Sequence, residues 1–153
     1  MADALTAQQT ADAVGVHMFA RDRASKAMGM RIVAMSEGAA FLEMTVRDDM
    51  LNGFDICHGG FITTLADSAF AFACNSTGDV TVAAGLSVDF LAPARVGDVL
   101  TARAFEVVQA GRSGLYDITV TNQRGEQVAL VRGRAHRMKD RRVLPADGAG
   151  GKR

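Results

Sequence analysis

Apolar residues recur at helical spacing in the middle of the chain. From residue 61 onward they fit one long helix over about residues 60–75. The apolar positions of this helix are Ile62, Leu65, Ala66, Ala69, Phe72 and Ala73. Because most of its circumference is apolar, the pattern predicts a helix that is buried in the protein.

Segments typical of β-strands lie on both sides of this helix, two before it and four after it. They cover residues 28–35, 39–46, 81–91, 99–108, 115–122 and 128–136. The hairpin separators are short and contain glycine, as antiparallel hairpins require. The order predicts an α+β domain, in which a curved antiparallel sheet of about six strands wraps around one long central helix.

Residues 81–91 show the most regular alternation in the chain. One face of this strand would carry Val82, Ala84, Leu86, Val88 and Phe90. The other face would carry small or polar side chains. Such alternation is typical of a strand with an apolar face.

The 153 residues fit a single domain, which we expect to span residues 1–153. An amphipathic helix is predicted over residues 6–23, within an N-terminal helical segment of about residues 1–27 that lies over an edge of the domain. Proline and glycine residues in the last stretch, about 140–153, predict a loose tail.

Acidic and basic residues balance at 17 each, which gives a net charge of zero. From residue 132 onward, however, eight residues are basic and two are acidic. A basic segment can meet phosphates, but a solvated strand end explains most of these charges. No helix there could enter a groove of DNA, so we predict no nucleic-acid partner.

The chain has no apolar run near the ~20 residues of a membrane span, and it does not begin with a basic segment followed by an apolar one. Its two cysteines, Cys57 and Cys74, neither build a disulfide framework nor show the CxxC spacing of a metal site. We therefore predict a cytoplasmic protein without a membrane partner or a metal.

Gly59 and Gly60 stand where the long helix begins. The first N–H groups of a helix have no partner within the helix and carry partial positive charge, so they can hydrogen-bond an oxygen that becomes negative. Glycine allows a ligand carbonyl to approach this backbone closely. These are the requirements of an oxyanion site for acyl transfer. The alternative is a tight junction between loop and helix.

Asp67 is a carboxylate on a helix that is otherwise apolar, and ionised carboxylates are rarely buried unless they are paired or used. It could activate water as a general base or attack a carbonyl carbon itself. The alternative is a structural carboxylate, bound by hydroxyls or by a cation. Thr64 and Ser68 share its small, partly polar stripe of the helix.

The spacing of Gly60 and Asp67 limits how they can act. Seven residues separate them, so they share a helix face but lie about 10 Å apart along the axis. That is too far for one carbonyl group, and two catalytic roles would therefore need two subunits. One sheet also covers only part of an apolar helix, so a second copy of the chain is the economical cover. Both considerations predict a homodimer.

Polar residues precede the helix in a loop. The amide of Asn52 can hold a water or a thioester, and His58 can position or polarise a group beside Gly59. Each has a plain structural alternative, a turn residue for Asn52 and a structural loop residue for His58. A nucleophilic pair of Cys57 and His58 is not favoured, because neighbours in an extended loop point to opposite sides.

Four segments together resemble one known family. They are LNGFDICHGG, LADSAFAFACNS, VDFLAPARVGD and GLYDITVTNQ. The likeness extends over about residues 28–138 and is to the hotdog-fold acyl-CoA thioesterases of the phenylacetate-degradation (PaaI) group. The hotdog fold is a sheet wrapped around a helix, so the resemblance and the hydrophobic pattern agree on the architecture.

The resemblance implies that Asp67 is the catalytic carboxylate and that Gly59 donates its N–H to the thioester oxygen, with Asn52 and His58 beside it from the partner subunit. It implies a homotetramer built from two dimers, no metal or cofactor, and phenylacetyl or hydroxyphenylacetyl thioesters, with coenzyme A as part of the substrate. Further expected contacts to the substrate come from Gly60, Thr64, Ser68, Arg95 and Arg112, with Arg137 as another candidate for phosphate.

Two other functions fit the same fold. A hydratase or dehydratase would use a loop histidine with a helix carboxylate, but two glycines after His58 favour carbonyl polarisation. A binding module for acyl-CoA without catalysis would not need a carboxylate at position 67. Hydrolysis of an acyl-CoA thioester is therefore the main prediction.

Overall fold

The computed structural model describes residues 4–146 and contains one six-stranded antiparallel sheet packed around a long helix. Its helices are α1 (Ala7–Arg21), α2 (Arg23–Ala27) and α3 (Gly59–Asn75), with a 3-10 turn at Asp48–Met50. Its strands are β1 (Arg31–Ser36), β2 (Ala39–Thr45), β3 (Asp79–Phe90), β4 (Val99–Ala110), β5 (Ser113–Thr121) and β6 (Gln127–Arg142). The strand order is β1-β2-β4-β5-β6-β3, so β1 and β3 form the two edges.

Helix α3 is the centre of the hydrophobic core and contacts every strand of the sheet. The ring of Phe70 lies 5.4 Å from that of Tyr116 on β5 and fills the space over Gly133, where a Cβ atom would come within 2.9 Å of it. Close packing of this kind fixes the position of the helix on the sheet. The predicted architecture is confirmed.

The end of α3 is tied to the start of β3 by a buried amide. Asn75 accepts a hydrogen bond from the N–H of Thr81 at 2.8 Å and donates to the carbonyl of Thr81 at 2.8 Å. It also donates to the carbonyl of Ala71 at 2.8 Å. Since buried amides need partners, this set of bonds places the beginning of β3 beside the second half of α3.

The N-terminal segment differs from the single helix predicted over residues 6–23. Thr6 and Gln9 form a capping box that begins α1, but Asp22 ends α1 and caps the separate helix α2. The strand predicted over residues 28–35 begins later, at Arg31, because Gly29 takes a positive φ of 69° in the turn after α2.

The apolar face predicted for residues 81–91 is only partly buried. The pairing of β3 with β6 shifts register between Ala83 and Gly85, so the alternation changes at this irregularity. Val82 is 46% exposed and Phe90 is 55% exposed. Ala84 is exposed as well, and these residues are accessible because β3 is an edge strand and the register shift interrupts its alternation.

Strand β6 continues to Arg142, past the predicted strand end at 136 and into the tail predicted from 140. Arg142 pairs with Asp79 in the ladder, and the side chain of Asp79 also binds those of Arg137 and Arg142. These contacts extend the strand, while residues 147–153 of the predicted tail lie outside the described residues. Among residues 4–146, no helix is long and apolar enough to cross a bilayer.

Candidate active site

Asn52 organises the loop before α3 and keeps a free donor. Its side-chain oxygen accepts hydrogen bonds from the N–H groups of Phe54 at 2.9 Å and Ile56 at 3.4 Å. Within residues 4–146 its side-chain NH₂ takes part in no hydrogen bond. The turn role and the ligand role predicted for Asn52 therefore use different atoms and are compatible.

His58 is the N-cap residue of α3. Its Nδ1 accepts a hydrogen bond from the N–H of Gly60 at 3.0 Å, which assigns the proton of the neutral ring to Nε2. The N–H of Gly60, predicted to contact substrate, is thus engaged within its own chain. The N–H of Gly59 has no partner among residues 4–146, so it is the available donor at this helix end.

Gly59 lines a cleft of about 530 Å³ together with Asn52, Cys57 and residues 90–94. A Cβ atom at position 59 would lie 2.7 Å from the ring of Phe90 on β3, so a larger residue there would force this ring to shift. Both interpretations of this glycine are compatible: it forms a tight junction and presents a free N–H group to a cleft.

Asp67 lies on the third turn of α3 and is half-buried. Burial raises the pKa of its carboxyl group above the ordinary value. No hydrogen bond or ion pair within residues 4–146 involves this carboxylate. The described chain therefore contains neither the hydroxyl nor the cation that a structural role for Asp67 would need. A desolvated carboxylate without a partner is a stronger base than one in water.

A second cleft, of about 590 Å³, opens at Asp67. It lies between the C-terminal half of α1, the middle of α3 and the start of β3. Gly59 and Asp67 are eight residues apart on one helix, which is about 12 Å along its axis. Within one chain the free N–H group and the free carboxylate therefore line different clefts.

Thr64 and Ser68, on the same side of α3 as Asp67, use their hydroxyls within the chain. Thr64 donates to the carbonyl of Gly60 at 2.8 Å. Ser68 lies 2.8 Å from the hydroxyl of buried Ser25, which donates to Asp22 at 2.6 Å. Because Ser25 has only one proton, Ser68 is the donor in their pair. Contacts from Thr64 and Ser68 to a substrate stay a prediction.

The arginines predicted to meet phosphates do not lie together. Arg95 is exposed and follows Ala94, which lines the cleft at Gly59. Arg112 is exposed in the turn between β4 and β5, beside a different cavity of about 310 Å³. Arg137 is paired with Asp79 at 3.5 Å. Of the three, only Arg95 adjoins a residue that lines the cleft at Gly59.

Both cysteines are buried free thiols. Burial raises the pKa of Cys57 to about 11 and that of Cys74 to about 12. Since the thiolate is the nucleophilic form, neither residue is suited to attack a thioester at neutral pH. No group of three His, Cys, Asp or Glu residues in the described part of the chain could hold a metal ion.

Three features of the site had no signal in the sequence. The contact of Phe90 with Gly59 joins residues from different elements, and the bond of Ser68 to Ser25 joins α3 to α2. The wall of the Asp67 cleft contributed by α1 includes His17, a histidine for which the sequence indicates no partner. These contacts depend on the three-dimensional arrangement of segments that are distant in the chain.

The chain belongs to the thioesterase superfamily and has its hotdog fold. The model of that family, described as the thioesterase superfamily, matches residues 54–129, from the loop before α3 into β6. Over 121 residues the chain is 48% identical to the acyl-coenzyme A thioesterase PaaI of Escherichia coli, covering 79% of this chain and 86% of that protein. The chain is therefore a thioester hydrolase that acts on acyl-CoA.

Solved structures agree with this assignment. The structure of the E. coli PaaI protein from the phenylacetic acid degradation operon matches with a TM-score of 0.85 and 44% identity, over 87% of this chain and 96% of that one. A Streptococcus mutans protein bound to acetyl-CoA matches with a TM-score of 0.69 and 28% identity, over 71% of this chain and 88% of that one.

Proposed function

We propose that the enzyme hydrolyses thioesters of the phenylacetyl-CoA or hydroxyphenylacetyl-CoA type, at a site completed by two copies of the chain. The observation that carries the proposal is the half-buried carboxylate of Asp67, which has no partner among residues 4–146 and lines one cleft while Gly59 lines another. The similarity to PaaI of E. coli supports the choice of acyl group.

The free edge of β3 provides the means of joining the two clefts. Residues 80–83 at the start of β3 line the Asp67 cleft, and Phe90 at its end lines the Gly59 cleft. In an antiparallel pair of strands, the start of one lies opposite the end of the other. Two copies of β3 paired along their free edges would therefore bring Asp67 of one subunit next to the Gly59 cleft of its partner.

In this dimer the thioester carbonyl oxygen accepts a hydrogen bond from the N–H of Gly59, which stabilises the negative charge of the tetrahedral intermediate. Asp67 either removes a proton from water as the water oxygen attacks the carbonyl carbon, or attacks that carbon itself to give an anhydride that water then hydrolyses. In both routes the bond to sulfur breaks, the coenzyme A thiolate leaves, and the free acid is the other product.

The loop residues supply further donors to the same carbonyl group. The side-chain NH₂ of Asn52 and the Nε2–H of His58 are both available for an oxygen of the substrate or of the attacking water. His58 also holds the first turn of α3 in place through Gly60, so its role combines positioning with polarisation.

Coenzyme A would leave the site past Arg95, whose guanidinium suits a phosphate, while Arg112 is the more distant candidate.

We also propose that two dimers form a homotetramer, which light scattering in solution tests. Catalysis by Asp67 needs no cofactor or metal, so dialysis against a chelator should leave kcat/KM unchanged.

The decisive experiment compares kcat/KM for a panel of acyl-CoA thioesters, with free thiol release as the measurement. We expect phenylacetyl-CoA and hydroxyphenylacetyl-CoA to be the best substrates. Equal or better turnover of unrelated alkyl thioesters would contradict the proposed acyl group. Hydration of crotonyl-CoA without thiol release would instead support the hydratase.

Single-turnover hydrolysis in labelled water distinguishes attack by water from attack by Asp67, because only the anhydride formed by Asp67 allows the label to enter this residue.

A further inference from the structure

Helices α1 and α2 pack against the catalytic helix, and α1 forms one wall of the Asp67 cleft. The side chains contributed by α1 to this wall are those of His17, Met18 and Arg21. On the opposite side the cleft is lined by α3, including Ala71, and by the start of β3. Met18 and Ala71 give the space apolar surfaces on which an aryl or alkyl group can lie.

The polar side chains of this cleft fall into two groups. Asn75 is fully used by Ala71 and Thr81, and Arg142 is paired with Asp79. Asp22 caps α2 through the N–H of Ser25. In contrast, His17, Arg21 and Asp67 take part in no hydrogen bond or ion pair within residues 4–146.

His17 differs from Arg21 in how accessible it is. Arg21 is exposed in the last turn of α1, where a cation is stabilised by the helix end and by water. His17 is half-buried on the cleft wall and has a donor and an acceptor to satisfy. Its ring nitrogens have no partner among residues 4–146 and stay accessible in the cleft, so an oxygen of the ligand can take the place of the water that meets them.

The wall is also fixed in place. The hydrogen-bond chain from Ser68 through Ser25 to Asp22 joins α2 to the residue next to Asp67. Phe19 packs on Phe72 of α3 with ring centroids 6.3 Å apart. A histidine held on a rigid wall can form a hydrogen bond with a substituent at one position of the bound acyl group and not at others.

We propose that His17 is a specificity-determining residue, which hydrogen-bonds a hydroxyl at the far end of the acyl group while Asp67 and the partner's Gly59 hold its carbonyl end. This inference rests on the proposed function, in that the acyl group lies in the Asp67 cleft. A site that hydrogen-bonds a substrate hydroxyl discriminates against the analogue without it, because its own polar group is then left unpaired.

The test measures kcat/KM for pairs of thioesters that differ only in a terminal hydroxyl. One pair is 4-hydroxyphenylacetyl-CoA with phenylacetyl-CoA, and the other is 6-hydroxyhexanoyl-CoA with hexanoyl-CoA. The variants are His17→Phe, which keeps a ring without nitrogens, and His17→Gln, which keeps a donor and an acceptor. His136→Phe, at a half-buried histidine in a different cavity, is the matched control.

We expect His17→Phe to lower the preference for the hydroxylated member about 3- to 10-fold, the effect of one hydrogen bond. His17→Gln should restore part of this preference, and His136→Phe should leave it unchanged. If His17→Phe leaves the ratio of the two kcat/KM values unchanged, even with an equal loss on both thioesters, the inference is overturned. If only the hexanoyl pair is turned over, the proposed aryl substrate is wrong, and that pair still decides the role of His17.

Discussion

The ring of Phe90 lies against the Cα atom of Gly59, in the space that a larger side chain at position 59 would need. A Cβ atom built there would be 2.7 Å from the Cζ atom of Phe90. A side chain at the first position of α3 would therefore need this ring to move. The same contact places an aromatic wall beside the backbone N–H that we assign to the thioester oxygen.

We expect Gly59→Ala to lower the free energy of unfolding by about 1–3 kcal/mol, because the added methyl group overpacks the contact with Phe90. Activity should fall as well, since either the ring of Phe90 or the start of α3 must shift beside the N–H of Gly59. In the double variant Gly59→Ala/Phe90→Ala the clash is removed while the N–H at position 59 is kept. Stability should then return to that of Phe90→Ala alone, as measured by urea denaturation.

Gly53→Ala is the control for this pair, because nothing lies within 4 Å of a Cβ atom at that position. It should leave both stability and kcat/KM nearly unchanged. A double variant that is as stable as Phe90→Ala but remains inactive would mean that the ligand, and not Phe90, requires the glycine.

Replacing Asp67 by Asn should lower kcat by about 10²- to 10⁴-fold, the range of a lost general base. The fold should not suffer, because a neutral amide replaces a half-buried carboxylate that has no partner in the described part of the chain. The free energy of unfolding at pH 7 should therefore be equal to or higher than that of the wild type. Asp89→Asn, at an exposed carboxylate on β3, is the control and should change neither quantity.

The stability difference between wild type and Asp67→Asn should depend on pH. Burial raises the pKa of Asp67, so the folded protein holds this proton more tightly than the unfolded chain does. Its contribution to stability is thus fully present below the unfolded pKa and is lost as the pH rises through the folded pKa. Urea denaturation between about pH 3 and pH 7 should show that the free energy of unfolding of the variant rises relative to that of the wild type as the pH increases. A constant difference would contradict a raised pKa.

The sequence predicted the parts of the fold that are encoded by local patterns. Helix α3 was predicted from residue 60 and begins at Gly59, because its apolar spacing is strong over the whole length. The extension of β6 to Arg142 was missed, since it depends on Asp79, which is distant in sequence. The irregularity in β3 was not predicted for a similar reason, because the register shift at residue 84 arises only in pairing with β6.

In the candidate site, too, features encoded locally could be predicted and contacts between distant residues could not. Asp67 could be singled out because a carboxylate on an apolar helix is conspicuous, and its spacing from Gly59 follows from helix geometry alone. The use of the Gly60 N–H by His58, and of the Ser68 hydroxyl by Ser25, required coordinates. The resemblance pointed to the N–H of Gly59 as the donor, and the structure adds that the neighbouring N–H of Gly60 is already engaged.

The thiol of Cys57 should be dispensable for catalysis, although it adjoins His58. With a pKa of about 11, only about one thiol in a thousand is ionised at pH 8. Cys57→Ala should therefore keep kcat within about twofold, and iodoacetamide should label the folded enzyme slowly. Labelling in urea, where both thiols are accessible, gives the reference rate. Rapid inactivation by iodoacetamide together with loss of activity in Cys57→Ala would contradict this.

Subunit exchange tests whether Asp67 and the Asn52 loop of one chain serve different sites. Asn52→Asp keeps the oxygen that holds the turn and removes the free NH₂, so it should damage the site without unfolding the loop. If a site combines Asp67 of one subunit with Asn52 of the other, a mixed dimer of Asp67→Asn and Asn52→Asp has one intact site and one with both changes. Random exchange should then restore about a quarter of wild-type activity from two nearly inactive proteins, because half of the dimers are mixed and each of these has one of its two sites intact.

Each variant taken alone through the same exchange procedure is the control. Absence of any recovery, with exchange verified by mass spectrometry of the intact dimers, would place both residues in a site formed by one chain.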